Sequence, residues 1–319
     1  MLENTALTPQ EVAEMLKVAK NTVYELIKRG ELNGYKVGKK IRVDLKDVEN
    51  YKNKTKNNKT IQSIPIKNDS LPSTNIFSQQ DSGNVNNFII CGQDVLLDIL
   101  SRYIELYSPN IRTFRSYVGS YNGLLALYLG KIQVATAHLW DGDSGQYNIP
   151  FVRRLVPGIP TIIIHLACRM QGFYVAKGNP KKIQGWEDLK RHDINIINRE
   201  KGCGTRILLD EHLRLLNIDG KSIKGYNKEC FSHLAVASTV ARGGANLALG
   251  NEKTSLQVKN IDFIPLQKER YELVIKKEDL DKSPFKTIIS ILRSDEFKSE
   301  LLGIGGYDLT ETGNIIAEL

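Results

Sequence analysis

Residues 53–87 decide what this chain can fold into. The stretch is built from Asn, Lys, Ser, Gln and Thr with scattered Pro and few large apolar residues, so it buries too little surface to offset the entropy of ordering it. One core cannot be threaded through it. The 319 residues therefore read as a small domain over residues 1–52, a linker, and a larger domain over residues 88–319. Ile61, Ile64, Ile66, Leu71, Ile76 and Phe77 could dock parts of the linker locally on one of the domains.

The net charge of +8 is concentrated near the N-terminus. Lys17, Lys20, Lys28, Arg29, Lys36, Lys39, Lys40 and Arg42 face only Glu25 and Glu31 between residues 17 and 42. Clustering of this kind is the electrostatic footprint of a surface that meets phosphate. Thr8-Pro9 with Glu11 forms a capping-box pattern, and Val12, Ala13 and Leu16 predict a helix over 9–16. Val23, Leu26 and Ile27 predict a second helix closing on Gly30. Lys20, Asn21, Thr22, Tyr24 and Lys28 are its candidate DNA contacts. Tyr35 to Val43 alternates around Gly38 as a two-stranded wing, whose Lys36, Lys39, Lys40 and Arg42 would meet phosphate. Residues 7–51 resemble the excisionase-type winged helix-turn-helix domains related to the mercury-resistance regulator family, which implies binding to operator DNA as a homodimer.

The larger domain repeats a strand, a small polar turn and a helix. Phe88–Gly92 precedes an amphipathic helix beginning at Asp94; Arg112–Tyr117 and Val118–Gly123 precede a helix over 124–129; a third strand, 132–137, ends at His138. Ile162–Leu166, Gly172–Ala176, Ile261–Leu266 and Tyr271–Ile275 read as further strands, and a short capped helix is expected near Trp186–Leu189. This is α/β material with successive strand ends on one side, where open sheets place ligands. A two-lobed type II periplasmic-binding-protein-like fold is predicted, with lobe I over 88–171 and 267–319 and lobe II over 172–266.

Asn198 to Arg206 carries the strongest site signal. A strand over 194–197 feeds a turn broken by Gly202 and Gly204, which opens into a helix over 207–216. The backbone can approach a ligand closely there, and the free N–H groups of a helix start suit an anion. Together with Gly119-Ser120, Gly123 to Leu127, Ala137-His138-Leu139, Gly178-Asn179-Pro180, His233 to Ala237 and Glu269 to Val274, this turn resembles the cytoplasmic molybdate-binding-like domain family. That resemblance implies Ser120, Tyr121, Arg199, Thr205 and Arg206 as ligand contacts, with Gln93, His138 and Tyr271 behind them. His233 reads as a helix-start residue near the hinge. Two positions depart from the family: Cys203 replaces its usual serine and Asn246 its usual acidic residue.

Cys91, Cys168, Cys203 and Cys230 are widely spaced, with no His at metal-ligand spacing, so no disulfide framework, metal or cofactor is expected. Cys203 between arginines at a helix start admits a Cys-dependent enzyme, but no partner base accompanies it in the sequence. The chain lacks the long apolar core of a secretory signal and any membrane-spanning run, so a cytoplasmic location is expected. The sequence thus predicts a one-component regulator, not an enzyme, that senses molybdate or tungstate. The alternative ligand is a small organic anion or a pterin in a larger pocket.

Overall fold

The computed structural model describes residues 6–38, 40–56 and 87–319, so Lys39 and residues 57–86 of the expected linker lie outside the described residues. The described residues form two compact units, one N-terminal and one C-terminal to the linker.

The N-terminal unit contains β1 (Ala6–Leu7), α1 (Pro9–Leu16), α2 (Lys20–Lys28), β2 (Tyr35–Val37), β3 (Lys40–Asp44) and α3 (Leu45–Lys56). The capping box predicted at Thr8 is present. The Glu11 N–H donates to the Thr8 hydroxyl at 3.2 Å, and the Thr8 N–H donates to the Glu11 carboxylate at 2.6 Å. Val12, Ala13, Val23, Leu26, Leu32, Val43 and Val48 form one core under both helices and the wing, and β3 is the central strand of the order β1-β3-β2. The third helix runs to Lys56, four residues into the expected linker.

The C-terminal unit follows as β4 (Asn87–Cys91), α4 (Leu96–Tyr107), β5 (Arg112–Ser116), α5 (Ser120–Tyr128), β6 (Ala135–Ala137), α6 (Ile149–Leu155) and β7 (Thr161–Ala176). Next come β8 (Asn198–Arg199), α7 (Gly204–Leu215), β9 (Glu229–Cys230), α8 (His233–Ala241), β10 (Leu247–Asn251) and α9 (Glu252–Ser255). The chain returns through β11 (Ile261–Lys276), α10 (Ser283–Arg293), α11 (Asp295–Ile304) and β12 (Ile315–Glu318). The segment at Trp186–Lys190 is a single 3₁₀ turn.

Two antiparallel strands of 16 residues, β7 and β11, each about 50 Å long at strand rise, run through both lobes. In lobe I they pair with β6 and β12; in lobe II β10 joins β7 from Gln171 onward. The sequence reading divides each of them into two strands, with gaps over 167–171 and 267–270. The structure keeps each whole, and Pro265 in β11 sits at a register shift between Pro265 and Gln267, where a missing N–H is tolerated. Apolar clusters cover both faces of each lobe: Ile90, Leu100 and Leu273 against Leu124, Ala135 and Ile163 in lobe I, and Phe173, Ile196 and Leu209 against Tyr174, Val236 and Ala248 in lobe II.

Two helix starts differ from expectation in a way that matters. Helix α5 begins at Ser120 rather than 124, and α7 at Gly204 rather than 207. The strand expected over 194–197 reduces to single parallel bridges of Asn195 to Lys224 and Ile196 to Leu247.

Gly172 lies where β7 passes between lobes, and a Cβ there would sit 2.2 Å from the Ile264 carbonyl oxygen on β11. Gly172→Ala should therefore force the long strands apart and destabilise the C-terminal unit by about 1–3 kcal/mol. Denaturant unfolding checks this; an unchanged midpoint would show that the strands tolerate the separation.

Candidate functional site

The two lobes meet around a polar cavity of about 20 Å³, lined by residues of both. Six of the eight residues singled out from the sequence line it: Gln93, Ser120 and His138, with Tyr271, from lobe I, and Arg199 and Thr205 from lobe II. Tyr121 and Arg206 are not among the lining residues. Tyr121 is exposed, and its N–H donates across the cleft to the Gly202 carbonyl at 3.0 Å. Arg206 is buried and its Nε and Nη1 are bonded elsewhere. Its Nε donates to both Asp210 oxygens at 3.0 Å, its Nη1 donates to Glu229 at 3.1 Å and to the Arg199 carbonyl at 3.2 Å, and its guanidinium lies 4.3 Å from the Tyr226 ring centre. The shift of the helix start explains this: with Cys203 as N-cap, Arg206 falls on the third helical position and turns away from the cleft.

Three helix starts converge on the cavity, contributing Gly119 and Ser120 at α5, Cys203 and Thr205 at α7, and His233 at α8. First-turn N–H groups have no intrahelical acceptor, so each start carries partial positive charge. Close approach of the lobes depends on two glycines. A Cβ on Gly119 would lie 2.7 Å from the Gly202 carbonyl oxygen, and one on Gly204 would lie 2.6 Å from the His138 ring.

The hydrogen bonds fix which groups face a ligand as donors. The His138 N–H donates to the Ser120 oxygen at 3.3 Å, leaving the Ser120 proton free to donate into the cavity. The Thr205 hydroxyl is buried and has no partner among the described residues. Arg199 gives Nη2 to Gln93 at 2.6 Å and Nη2 and Nε to Glu200 at 2.8 Å, so Gln93 ties it to lobe I across the cleft. Tyr271 is different: Thr136 donates to the Cys91 carbonyl at 2.8 Å and so accepts the Tyr271 proton, also at 2.8 Å. Tyr271 therefore presents no donor.

Beneath these groups lies a buried ionic floor that the sequence reading missed. Arg169 on β7 reaches Asp94 through Nη1 and Glu269 through Nη2, both at 2.5 Å, and stacks 3.9 Å from the centre of the Tyr271 ring. Glu269 also meets His138 Nδ1 at 2.7 Å. Burial alone would raise the Glu269 carboxyl, but the Arg169 charge and then His138 outweigh it and hold it at about 2. The available signal was a lone arginine inside the apolar run Ile162 to Ala176, since a charge in a buried strand needs partners.

Both departures from the family pattern acquire a local role. Cys203 Sγ accepts the Arg206 N–H at 3.4 Å, capping α7 as a serine would. Burial pushes its thiol up to about 11 despite Arg199, which favours the protonated thiol at neutral pH. Asn246 exchanges side-chain and main-chain bonds with Asn195 at 2.8 and 2.9 Å, anchoring the start of β10 away from the cavity.

In the N-terminal unit, Lys20, Asn21, Thr22, Tyr24 and Lys28 of α2 are exposed while Val23 and Leu26 are buried, so the named residues share the outward side of the helix. Ala19 gives α2 no side-chain cap; the Thr22 N–H turns back to the Ala19 carbonyl at 2.9 Å instead. Lys36 and Lys40 are exposed on the wing and Arg42 is half-buried.

Comparison with known proteins places this architecture. Residues 102–293 match a family described as a PBP superfamily domain. The chain belongs to the PBP superfamily. Residues 6–56 match a helix-turn-helix domain, so the PBP domain here follows a DNA-binding type of unit. The chain is 41% identical to the uncharacterized protein YvgK of Bacillus subtilis (strain 168) over 318 residues, the full length of both. Its fold is similar to that of a hydrogen-peroxide-bound cysteine-to-serine mutant of OxyR from Corynebacterium glutamicum, at a TM-score of 0.51 and 14% identity over 93% of this chain and 89% of that one. It is likewise similar to a structure described as a phosphate ABC transporter substrate-binding protein from Clostridium perfringens with bound phosphate, at 0.50 and 15% over 70% and 98%. At those identities the likeness is one of fold. Among the described residues, no helix is long and apolar enough to cross a membrane and no side-chain group fits a metal ion.

The ionic floor yields a pH prediction. A carboxyl held at about 2 when folded and near its ordinary 4.3 when unfolded adds stability that is full above about 4.3 and fades as pH falls toward 2. Glu269→Gln should cost roughly 3–5 kcal/mol at neutral pH by leaving Arg169 half-paired, and should flatten the loss between pH 4 and pH 2. Denaturant unfolding across that range tests both; a mutant as acid-sensitive as the parent would assign the loss to other groups.

Proposed function

We propose that this chain is a one-component transcriptional regulator, cytoplasmic and homodimeric, whose winged helix-turn-helix binds operator DNA and whose PBP domain senses a tetrahedral oxyanion, molybdate or tungstate. The observation that carries the reading is the unpartnered Thr205 hydroxyl in a small cavity walled by three helix starts. Ser120, Thr205, one remaining Arg199 nitrogen and first-turn N–H groups supply donors around one point, which suits an ion fully deprotonated at neutral pH. Cavity size supports an inorganic ion over a pterin, because a space of about 20 Å³ holds a compact occupant only. The buried, uncharged thiol of Cys203 and the helix-turn-helix partner domain both favour a regulator over an enzyme.

Ligand acts on DNA affinity through closure. A two-lobed domain hinged on β7 and β11 closes on its ligand, and in a dimer closure resets the spacing of the two recognition helices. Operator affinity that is equal with and without saturating ligand would sink this mechanism.

Isothermal titration with molybdate, tungstate, sulfate and phosphate is the direct test: saturable heat is expected with molybdate or tungstate, and silence from all four would overturn the ligand assignment. Thr205→Val, which keeps the shape and deletes the donor, should weaken binding about 10- to 100-fold. Both tryptophans of the chain stack on His212 of lobe II, Trp186 from the same lobe at 3.9 Å and Trp140 from lobe I at 4.5 Å, so closure should register as a change in the intrinsic fluorescence of Trp140. On the DNA side, Lys20→Ala should lower the salt slope of duplex binding by about one phosphate contact.

A further inference from the structure

His233 is the first residue of α8, with the Ser232 hydroxyl accepting the Ala235 N–H as cap at 3.1 Å. It lines the same cavity as Thr205. Its Nδ1 is buried and meets no partner among the described residues. Buried polar atoms of this kind are uncommon in folded chains unless a ligand or water completes them. Here two of them, Thr205 Oγ1 and His233 Nδ1, come from two different helix starts and border one small space.

The geometry points to His233 as a ligand-contacting residue that donates its Nδ1–H to an oxygen of the bound oxyanion. The inference rests on the anion-sensing reading above and adds a residue to that site which the sequence assigned to helix structure alone. Burial, followed by Arg199, Arg169 and His138, pushes the ring toward its uncharged form. An uncharged imidazole has one donor nitrogen and one acceptor. Facing a fully ionised oxygen, a bare Nδ1 would oppose lone pair to lone pair, so the tautomer with the proton on Nδ1 is the one the ligand selects. Both arginines that line the cavity already have carboxylate partners, Arg199 in Glu200 and Arg169 in Asp94 and Glu269, so an uncharged donor adds to the site without unbalancing those pairs.

Titration of His233→Asn and His233→Leu with tungstate tests the assignment. An asparagine Nδ2 is as many bonds from the backbone as the histidine Nδ1, so His233→Asn should bind within a few-fold of the parent. His233→Leu should lose about 10- to 100-fold, the worth of one hydrogen bond to a charged group. Equal affinity of His233→Leu and the parent would overturn the inference while leaving the anion site standing. An equal loss in both variants would overturn the donor role, since the ring would then act by packing. A parent chain that binds none of the four oxyanions removes the reading on which the inference depends. Should either variant fail to fold, the ¹⁵N-histidine spectrum of the parent with tungstate decides: a protonated Nδ1 on His233 supports the assignment, and a protonated Nε2 overturns it.

Discussion

Arg169 holds the C-terminal unit to one geometry. It lies on β7 directly opposite Glu269 on β11, just before β7 leaves lobe I and just after β11 enters it. Through Asp94 it also fixes the turn before α4, and through Tyr271 it stacks under the cavity. Desolvating a guanidinium and two carboxylates is expensive, and the attraction offsets that cost only when the geometry is close. Asp94 accordingly accepts the Leu96 N–H at 2.8 Å and the Tyr307 hydroxyl as well. The cluster therefore specifies where α4, β7 and β11 meet more than it adds net stability. Because His138 rests on Glu269, and Ser120 on the His138 N–H, the positions of two cavity side chains follow from the same pair.

This hierarchy explains what the sequence made legible. Elements with local signals were readable: the capping box at Thr8, the glycine turn of the wing, the Ser232 cap and the strand-turn-helix repeat. Six residues that line the cavity were named through the family resemblance, carried over position by position. The ionic floor was not, because Asp94, Arg169 and Glu269 are far apart in the chain and their contact follows from the pairing of two long strands. Tyr121 and Arg206 were misplaced for a local reason. Helices α5 and α7 start earlier than their apolar periodicity suggests, and a shift of three or four residues at a helix start changes which side chains point into the cleft.

Cys203 shows how a substitution at a site can leave the site's physics in place. A serine in that turn would donate as well as cap; the thiol caps, accepting the Arg206 N–H, and adds little as a donor. The main-chain N–H groups of α7 do not depend on the side chain, so their partial charge persists. Under the anion reading proposed above, the share carried by Thr205, Ser120 and the start of α8 rises, and these are neutral groups from three separate helices.

Separate origins matter for how binding acts on the lobes. Ser120 belongs to lobe I, while Thr205 and His233 belong to lobe II, so an anion of the kind proposed above would satisfy all of them only with the lobes together. In the closed arrangement the Thr205 hydroxyl and His233 Nδ1 are withdrawn from water, and each buried group without a partner costs about 1–3 kcal/mol. An open arrangement returns them to water and removes that cost. Contacts such as Tyr121 N–H to the Gly202 carbonyl and Gln93 to Arg199 favour closure on their own, so the two tendencies oppose each other. A ligand that completes the buried donors acts on one side of that balance only. Such differential interaction with two states is what lets binding energy move a hinge.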